Sequence, residues 1–360
     1  MYDYLVVGAG LFGSVFARSM VDAGKKVLVV EKRNHVGGNI FDEPVDGIQV
    51  HKYGPHIFHT NRKELIGYLE RFAELVPYRH SVKACYRGTI YSFPINLSTF
   101  QQLFGITTPD EARQYIEKKR IQIEEPKNFE ESILSQVGET LYERFFQGYT
   151  QKHWGISPNR LPVEYSRRIP IRFNFNDGYF NDKYQFVAAS YTQMIQNMLD
   201  GIPVELNCDF STMRDWRKQA ARCLYTGPLD ELFERSLGTL DYVHVRFLHQ
   251  QLKNCSDYQG IAVMNFTDSE TPHTRITEHQ HFQPAAKPTT GTIVTYEYPG
   301  SEGEKCYPIS TEVNRDLYQQ YVRMLPTDII VGGRLGLFRY LDMDQTIEAA
   351  FELAHKETTK

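Results

Sequence analysis

The chain has 360 residues, which at about 100–200 residues per domain predicts two or three domains. Its 40 basic and 44 acidic side chains give a formal net charge of −4, which argues against a nucleic-acid-binding protein. No apolar stretch reaches the roughly 18 residues of a membrane span, no signal peptide is visible, and five scattered cysteines without a CxxC pair are typical of reduced thiols. We therefore expect a cytoplasmic protein with no nucleic-acid partner and no membrane span.

The first predicted elements follow the order strand, glycine-rich turn, helix, strand, acid. A strand over Asp3–Val7 is followed directly by the turn Gly8–Gly13. A helix over Ser14–Ala23 carries apolar residues at helical spacing, and a second strand, Lys26–Val30, ends in Glu31. This order is typical of a βαβ unit that binds a dinucleotide.

The remaining elements indicate one nucleotide-binding domain interrupted by two inserts. Residues 98–165 are predicted to be mostly helical, with helices beginning at Pro109 and Phe129 and a third over Leu141–Tyr149. Residues 81–97 and 237–300 carry short alternating segments typical of antiparallel strands. The predicted strands of the second insert are Tyr242–Phe247, Gly260–Phe266 and Thr292–Tyr298. The αβ pattern returns in the strands Val204–Asn207, Arg222–Thr226 and Ile329–Val331 and in a C-terminal helix over Met343–Ala354.

The glycine spacing predicts how the turn holds a cofactor. Gly8 makes the tight turn, Gly10 lets the backbone approach a pyrophosphate, and Gly13 allows close helix–strand packing. The helix N-terminus offers free N–H groups to the phosphates. Glu31 accepts hydrogen bonds from the ribose hydroxyls.

Two glycine doublets favour FAD over NAD as that cofactor. Gly37-Gly38 follows the acid at the end of the second strand, and Gly332-Gly333 precedes a helix near the C-terminus. Both doublets resemble FAD-binding segments of the flavin oxidoreductase superfamily. We therefore expect FAD.

Longer runs extend the resemblance through the chain. They are Tyr53–Thr60, Tyr149–Gly155, Asp177–Phe180, Tyr225–Asp230 and Gly333–Asp344. In this order, with the glycine turn, they resemble the bacterial type of UDP-galactopyranose mutase over almost the whole chain. The resemblance implies an α/β fold, with a Rossmann-like FAD-binding domain, a helical insert and an antiparallel β-sheet substrate domain.

The domains implied are discontinuous in sequence. The FAD-binding domain takes residues 1–80, 186–236 and 309–360. The helical domain takes residues 98–165. The antiparallel-sheet substrate domain takes residues 81–97, 166–185 and 237–308.

The resemblance also implies the activity, which is interconversion of UDP-galactopyranose and UDP-galactofuranose without net redox change. N5 of reduced FAD is expected to attack C1 of the sugar and expel UDP, giving an N5–sugar adduct that opens and recloses through O4. An external reductant such as NAD(P)H, a homodimer and a role in galactofuranose supply for cell-envelope polysaccharide are implied as well.

Two arginines are expected to bind the diphosphate, because a guanidinium binds phosphate oxygens bidentately and stays charged. By position in the resembling runs they are Arg168 and Arg275. The alternatives are that Arg167 or Arg172 takes the first place, or that the run is a solvated loop. For Arg275 the alternative is a strand-surface arginine paired with Glu278.

Aromatic side chains are expected to complete the substrate site. The resemblance assigns the hydroxyls of Tyr340 and Tyr307 to the phosphates, and Phe145, Tyr149 and Tyr179 to the uracil side. Phe145 and Tyr149, spaced i, i+4, share one helix face. For Phe145 the alternative is a core position, and for Tyr307 it is packing at a strand end.

Trp154 resembles the tryptophan beside the sugar and the flavin, and His59 resembles the histidine next to the isoalloxazine ring. His56 shares this region, and we expect no metal because no third ligand lies nearby in sequence. The residues expected to be catalytic are Arg168, Arg275, His59 and Trp154. Those expected to bind the cofactor are Gly8, Gly10, Phe12, Gly13, Glu31, Lys32, Gly38, Asn39, His56, His59, Arg334, Tyr340, Asp342 and Met343.

The alternative functions are a flavin oxidoreductase of the amine-oxidase or desaturase type and a non-catalytic nucleotide-binding regulator. A tunnel for apolar substrates would not be lined by diphosphate-binding arginines and tyrosines. A regulator would not explain why flavin-side and diphosphate-side runs occur together.

Overall fold

A five-stranded parallel sheet carries the glycine-rich turn. The computed structural model describes residues 1–168, 170–283 and 290–359, without the side chains of residues 167 and 168. The strands lie in the order Val204–Glu205, Val27–Val30, Tyr2–Val7, Ala220–Tyr225 and Ile329–Val331. The predicted strands are confirmed with ends shifted by at most two residues. Together with the turn and the helix after it, this sheet confirms the Rossmann-like domain.

Two helices from opposite ends of the chain pack against each other beside this sheet. Leu11–Asp22 starts three residues before the prediction because Gly10, in extended conformation, is its N-cap. Met343–Thr358 runs four residues beyond the predicted end. The further helices outside the inserts are Lys63–Leu69, Tyr191–Met198, Leu229–Leu232, Glu312–Arg323 and Gly333–Gly336.

The second sheet has seven strands and is antiparallel except for one pair. Its order is Glu304–Pro308, Tyr242–Leu252, Thr292–Gly300, Arg275–Glu278, Val263–Phe266, Val82–Tyr86 and Thr89–Phe93. The exception is the parallel pairing of Val263–Phe266 with Val82–Tyr86. That pairing brings the chain segment before the helical insert into the sheet, as the predicted fold requires.

The helical insert lies between these strands in sequence. Its helices are Leu97–Phe104, Pro109–Lys119, Phe129–Val137, Glu139–Tyr142 and Gly148–Trp154, with a π-helical segment at Glu143–Gln147. The predicted starts at Pro109 and Phe129 are confirmed, and Thr108 and Asn128 cap them through their side-chain oxygens. The predicted run Leu141–Tyr149 is wrong as one continuous α-helix, because the π segment interrupts it.

Two small sheets lie on either side of His56 in sequence, and the second of them carries His59. Asp42–Val45 pairs with Ile48–His51, and Phe58–Thr60 and Leu75–Pro77 both pair with Tyr184–Ala188. Short 3₁₀ turns lie at Gly38–Ile40, Pro158–Arg160, Val163–Arg168, Phe210–Thr212, Trp216–Lys218 and His279–Phe282. Within the described part of the chain, no helix is both long enough and apolar enough to cross a membrane.

Candidate active site

The glycine turn has the close backbone packing that its sequence predicts. Gly8 has φ +105°, a left-handed conformation that favours glycine. A Cβ on Gly13 would lie 2.0 Å from the carbonyl oxygen of Gly8, and one on Gly38 would lie 2.9 Å from Cα of Gly10. The two glycine segments therefore touch, and side chains would separate them.

Glu31 fastens these segments to the end of the second strand. One carboxylate oxygen accepts the N–H of Ala9 at 2.9 Å and the other accepts the N–H of Arg33 at 2.9 Å. Each oxygen has a second lone pair, so hydrogen bonds from ribose hydroxyls remain available and stay a prediction.

A cavity of about 1120 Å³ begins at the glycine turn and reaches the strand Glu304–Pro308. It exceeds the roughly 300–1,000 Å³ of pockets for ordinary small molecules. The predicted cofactor residues that line it are Gly8, Gly10, Phe12, Gly13, Glu31, Lys32, Gly38, Asn39, His56 and Arg334. Its size, the glycine cradle and the helix N-terminus fit a dinucleotide such as FAD. His59, Tyr340, Asp342 and Met343 are not among its lining residues, and their contact with the cofactor stays a prediction.

Arg275 projects from the antiparallel sheet toward the helical insert. Its Nη2 donates to the hydroxyl of Tyr149 at 3.2 Å and its Nε to Oδ1 of Asn265 at 3.2 Å. Nη1 lies 3.6 Å from Oε2 of Glu297, not beside Glu278. The alternative that Arg275 is a strand-surface arginine paired with Glu278 is therefore wrong. Glu297 and neighbouring tyrosines hold the pKa of Arg275 above its ordinary value although burial lowers it.

Glu297 is a polar residue at this site that the sequence analysis missed. It is 6% exposed, and its Oε1 is buried without a hydrogen-bond partner in the part of the chain that the structure describes. Burial raises its pKa, an effect that Arg275 opposes. The signal in sequence was a single acid in the apolar strand Thr292–Gly300, but only the strand pairing opposite Arg275 gives it meaning.

Tyr307 and Tyr340 form a stacked pair next to the cofactor cavity. Their ring centroids are 5.4 Å apart with an interplanar angle of 8°. The guanidinium of Arg334, which lines the cavity, lies 4.8 Å from the Tyr340 ring and 5.2 Å from the Tyr307 ring. Burial raises the pKa of Tyr307. The structure thus brings the two predicted phosphate tyrosines together.

Trp154 ends the helix Gly148–Trp154 and joins the same aromatic group. Its ring centroid lies 4.4 Å from that of Tyr165 and 6.3 Å from that of Tyr307. Lys152, on the same helix, donates to the carbonyl oxygens of Phe266, Thr271 and His273 at 2.9, 2.8 and 3.3 Å. These bonds hold the helix on the sheet, so Lys152 anchors the site and does not offer a free cation.

His59 and Tyr179 lie in a neighbouring aromatic group. The His59 ring stacks on Phe180 at 3.7 Å, and its Nδ1 lies 2.7 Å from Oδ2 of Asp182. Tyr179 lies edge-on to Phe180 and to His80. Asp182 is a second polar residue that the sequence analysis missed, since nothing in the local pattern links it to His59.

Three arginines were candidates for the other place in the diphosphate clamp, and the structure describes the side chain of one of them, Arg172. Arg172 is 8% exposed, and its guanidinium donates to the Gly178 carbonyl at 2.5 Å and to Asn181 Oδ1 at 2.5 Å. It holds the run that carries Tyr179 and is not free for a diphosphate. The side chains of Arg167 and Arg168 lie outside the described residues, so the clamp role of Arg168 stays a prediction.

Phe145 and Asp342 both have structural contacts, and those of Phe145 match the core position given as its alternative. Phe145 is 2% exposed, lies in the π-helical segment and packs against Tyr91 and Phe93. Asp342 is the N-cap of the C-terminal helix and forms a capping box with Gln345. Base contact for Phe145 and flavin contact for Asp342 stay predictions.

One group of possible metal ligands is present among the described residues: Asp257, Glu278 and His281. The Glu278 oxygens already accept the N–H groups of Tyr258 and Gln259 at 2.9 Å each. Glu278 therefore stabilises the backbone at Tyr258 and Gln259, and the group is far in sequence from His56 and His59.

Fold and site define the class of protein: a Rossmann-like enzyme in which Arg334 lines the dinucleotide cavity and contacts the Tyr307–Tyr340 pair. The sequence matches the family described as UDP-galactopyranose mutase over residues 144–340, and an NAD(P)-binding Rossmann-like domain over residues 6–72. The chain belongs to the UDP-galactopyranose mutase family, whose members are flavin-dependent isomerases.

Individual relatives cover almost the whole chain. A probable UDP-galactopyranose mutase of Klebsiella pneumoniae is 41% identical over 98% of this chain and 94% of its own length. The dTDP-fucopyranose mutase of Escherichia coli is 35% identical over 98% of both. A crystal structure of reduced UDP-galactopyranose mutase shares the fold, with a TM-score of 0.80 at 16% identity over 100% of this chain and 94% of that one.

Proposed function

We propose that this chain interconverts UDP-galactopyranose and UDP-galactofuranose with FAD that acts in its reduced form. The observation that supports this most is Arg275, a half-buried and permanently charged guanidinium beside Tyr149 and close to Tyr307. Its bonds to Asn265 and Tyr149 leave N–H donors on both terminal nitrogens. A diphosphate is the part of the substrate that these donors suit.

The protein side chains stabilise the leaving diphosphate. Charge grows on it as the bond to C1 of the sugar breaks, and fixed cations and hydroxyl donors lower the energy of that state. Arg275 supplies a cation, with Arg168 as the second arginine of the clamp. The Tyr307 hydroxyl stays protonated and donates, because burial raises its pKa, and Tyr340 donates beside it.

The remaining site residues hold the reactants in register. Trp154 covers the apolar face of the sugar, while Phe145, Tyr149 and Tyr179 hold the uracil side. His59 and His56 orient the flavin ring. The bound and reduced flavin supplies a nucleophilic N5 toward C1.

The proposal includes the setting expected from the sequence. An external reductant such as NAD(P)H primes the flavin, the active unit is a homodimer, and the protein is cytoplasmic. Because no electrons are consumed overall, priming is needed once and not in every turnover.

Titration with nucleotides tests the class of substrate. UDP should perturb the flavin absorbance and, at 100 times its dissociation constant, raise the free energy of unfolding by about 2.7 kcal/mol. The same titration is carried out with dTDP, because one relative is a dTDP-fucopyranose mutase. A protein that responds to aliphatic amines and to neither nucleotide would be the alternative oxidoreductase.

A further inference from the structure

A chain of hydrogen bonds lies behind the turn that carries His56. The N–H of His56 donates to Nδ1 of His51 at 3.1 Å, and the N–H of His51 donates to Nδ1 of His279 at 3.2 Å. Nε2 of His279 lies 2.6 Å from Oγ1 of Thr295, which lies 2.7 Å from Nδ1 of His249. His51, His279 and Thr295 are at most 1% exposed.

The backbone donors determine where the ring protons lie. A ring nitrogen that accepts from an N–H carries no proton, so Nδ1 of His51 and of His279 are both bare. Each ring then carries its proton on Nε2 and is neutral. His279 therefore donates to Thr295, which leaves the hydroxyl proton of Thr295 for Nδ1 of His249.

The Gly54–His56 turn, which these hydrogen bonds hold, lies next to both the flavin cavity and the carboxylate beside Arg275. His56 lines the flavin cavity, and its Nδ1 lies 2.9 Å from the carbonyl oxygen of Gly54. Gly54 has φ +91°, and a Cβ there would lie 3.4 Å from Oε1 of Glu297. Glu297 is the carboxylate next to Arg275. A displacement of this turn would therefore alter the flavin side and the arginine side together.

We propose that His51, His279 and Thr295 are positioning residues that fix the Gly54–His56 turn against the flavin cavity, each ring locked in its Nε2–H tautomer. The inference itself rests on the flavin cavity. It rests on the proposed function only where it concerns the effect on turnover.

The surroundings keep these rings neutral and in place. The His51 ring stacks on Phe282 with centroids 4.9 Å apart and an interplanar angle of 4°. Tyr191 lies edge-on to it at 5.6 Å. Burial lowers the pKa of His51 to about 4, against an opposing effect of Asp42, and lowers that of His279 well below its ordinary value. Neither ring gains a proton near neutral pH, so this series of hydrogen bonds is kept.

The sheet supplies a matched pair of threonine variants. Thr277 lies directly opposite Thr295 on the neighbouring strand and is equally buried, but its hydroxyl has no hydrogen-bond partner among the described residues. Thr295→Val should raise the rate of flavin release about tenfold and shift the flavin absorbance, whereas Thr277→Val should change neither. At His51, Asn keeps an acceptor near the Nδ1 position and should recover most of the loss seen in His51→Leu.

Histidine ¹⁵N NMR of the flavin-loaded protein reads the tautomers without any assay of turnover. His51 and His279 should both show the Nε2–H form, and the signals of His249 and His279 should move in Thr295→Val. An Nδ1–H form at either ring, or equal flavin release from the two valine variants, would overturn the inference. A wild-type protein that binds flavin but converts no sugar nucleotide would overturn the proposed function alone.

Discussion

Nη2 of Arg275 lies 3.2 Å from the hydroxyl oxygen of Tyr149, which is 126 positions earlier in the chain. One residue belongs to the antiparallel sheet and the other to the helical insert. The contact joins the antiparallel sheet to the helical insert close to Tyr307, where we propose that the diphosphate binds. A half-buried cation held in this way is arranged before any diphosphate binds.

Arg275→Ala should lower turnover of the sugar nucleotide by roughly ten- to hundredfold, because charged hydrogen bonds are worth about 1.5–3 kcal/mol. Arg275→Lys should recover only part, since lysine lacks the planar fork. Initial rates and UDP affinity measure the effect. Arg246→Ala, at an exposed strand position, is the control and should behave as wild type. Full activity in Arg275→Ala would remove this residue from the site.

Gly13→Ala should yield colourless protein, because the new Cβ would lie 2.0 Å from the Gly8 carbonyl oxygen. Gly13→Val should do the same. The matched control is Gly67→Ala, also within a helix, where no described atom outside the neighbouring backbone of that helix lies within 4 Å of the added atom. That variant should keep its flavin and gain up to about 1 kcal/mol of stability. Flavin absorbance after purification measures whether each variant retains the cofactor. A yellow Gly13→Ala protein would contradict the account of the turn.

Two ion pairs of opposite polarity join the dinucleotide domain to the strand Glu304–Pro308, and all four residues line the cavity. Arg33 pairs with Glu304, and Lys305 Nζ lies 2.5 Å from Glu231 Oε1. Lys305→Glu should accelerate flavin release a few-fold, because it places like charges together. Adding Glu231→Lys should restore slow release. Equal release rates in the single and double variants would show that the pairs do not retain the cofactor.

Acid should destabilise the protein in a defined range. Burial lowers the pKa of His51 and His249 to about 4, and of His56 and His80 to about 3, from 6.5. Between those values the unfolded chain binds protons that the folded chain does not. The free energy of unfolding therefore falls as pH drops from 6.5 toward 4. Urea titrations at several pH values measure the slope.

Two histidine variants should change the pH dependence of stability in different pH ranges. His80→Asn should make it shallower by up to about 1.4 kcal/mol per pH unit. His281 has its pKa raised by a hydrogen bond to Glu278, so its contribution is present at low pH and is lost as pH rises through the folded pKa. His281→Asn should therefore lower the free energy of unfolding at acidic pH without changing its slope below pH 6.5, and should remove the loss of stability that the wild type shows as pH rises above 6.5. The same slope in both variants would contradict these assignments.

The local sequence pattern was sufficient to predict the parallel sheet and the glycine turn, because short apolar runs and glycine geometry act over a few residues. It was insufficient where the residues that matter are far apart in sequence. Glu297 gains its role from strand pairing with Arg275, and Asp182 from contact with His59, 123 positions away. The strand Tyr242–Leu252 continues five residues past its predicted end, because pairing with Thr292–Gly300 outweighs its polar His-Gln-Gln segment. The π-helical segment at Phe145 likewise has no signal in the helical spacing.

The most direct test of the proposed function compares the initial rate of UDP-galactofuranose conversion by dithionite-reduced and by oxidised protein, with the products separated by chromatography. We predict UDP-galactopyranose from the reduced protein, no net consumption of reductant, and little or no product from the oxidised protein. Equal rates in the two forms, or no UDP-galactopyranose from the reduced form, would contradict the proposal.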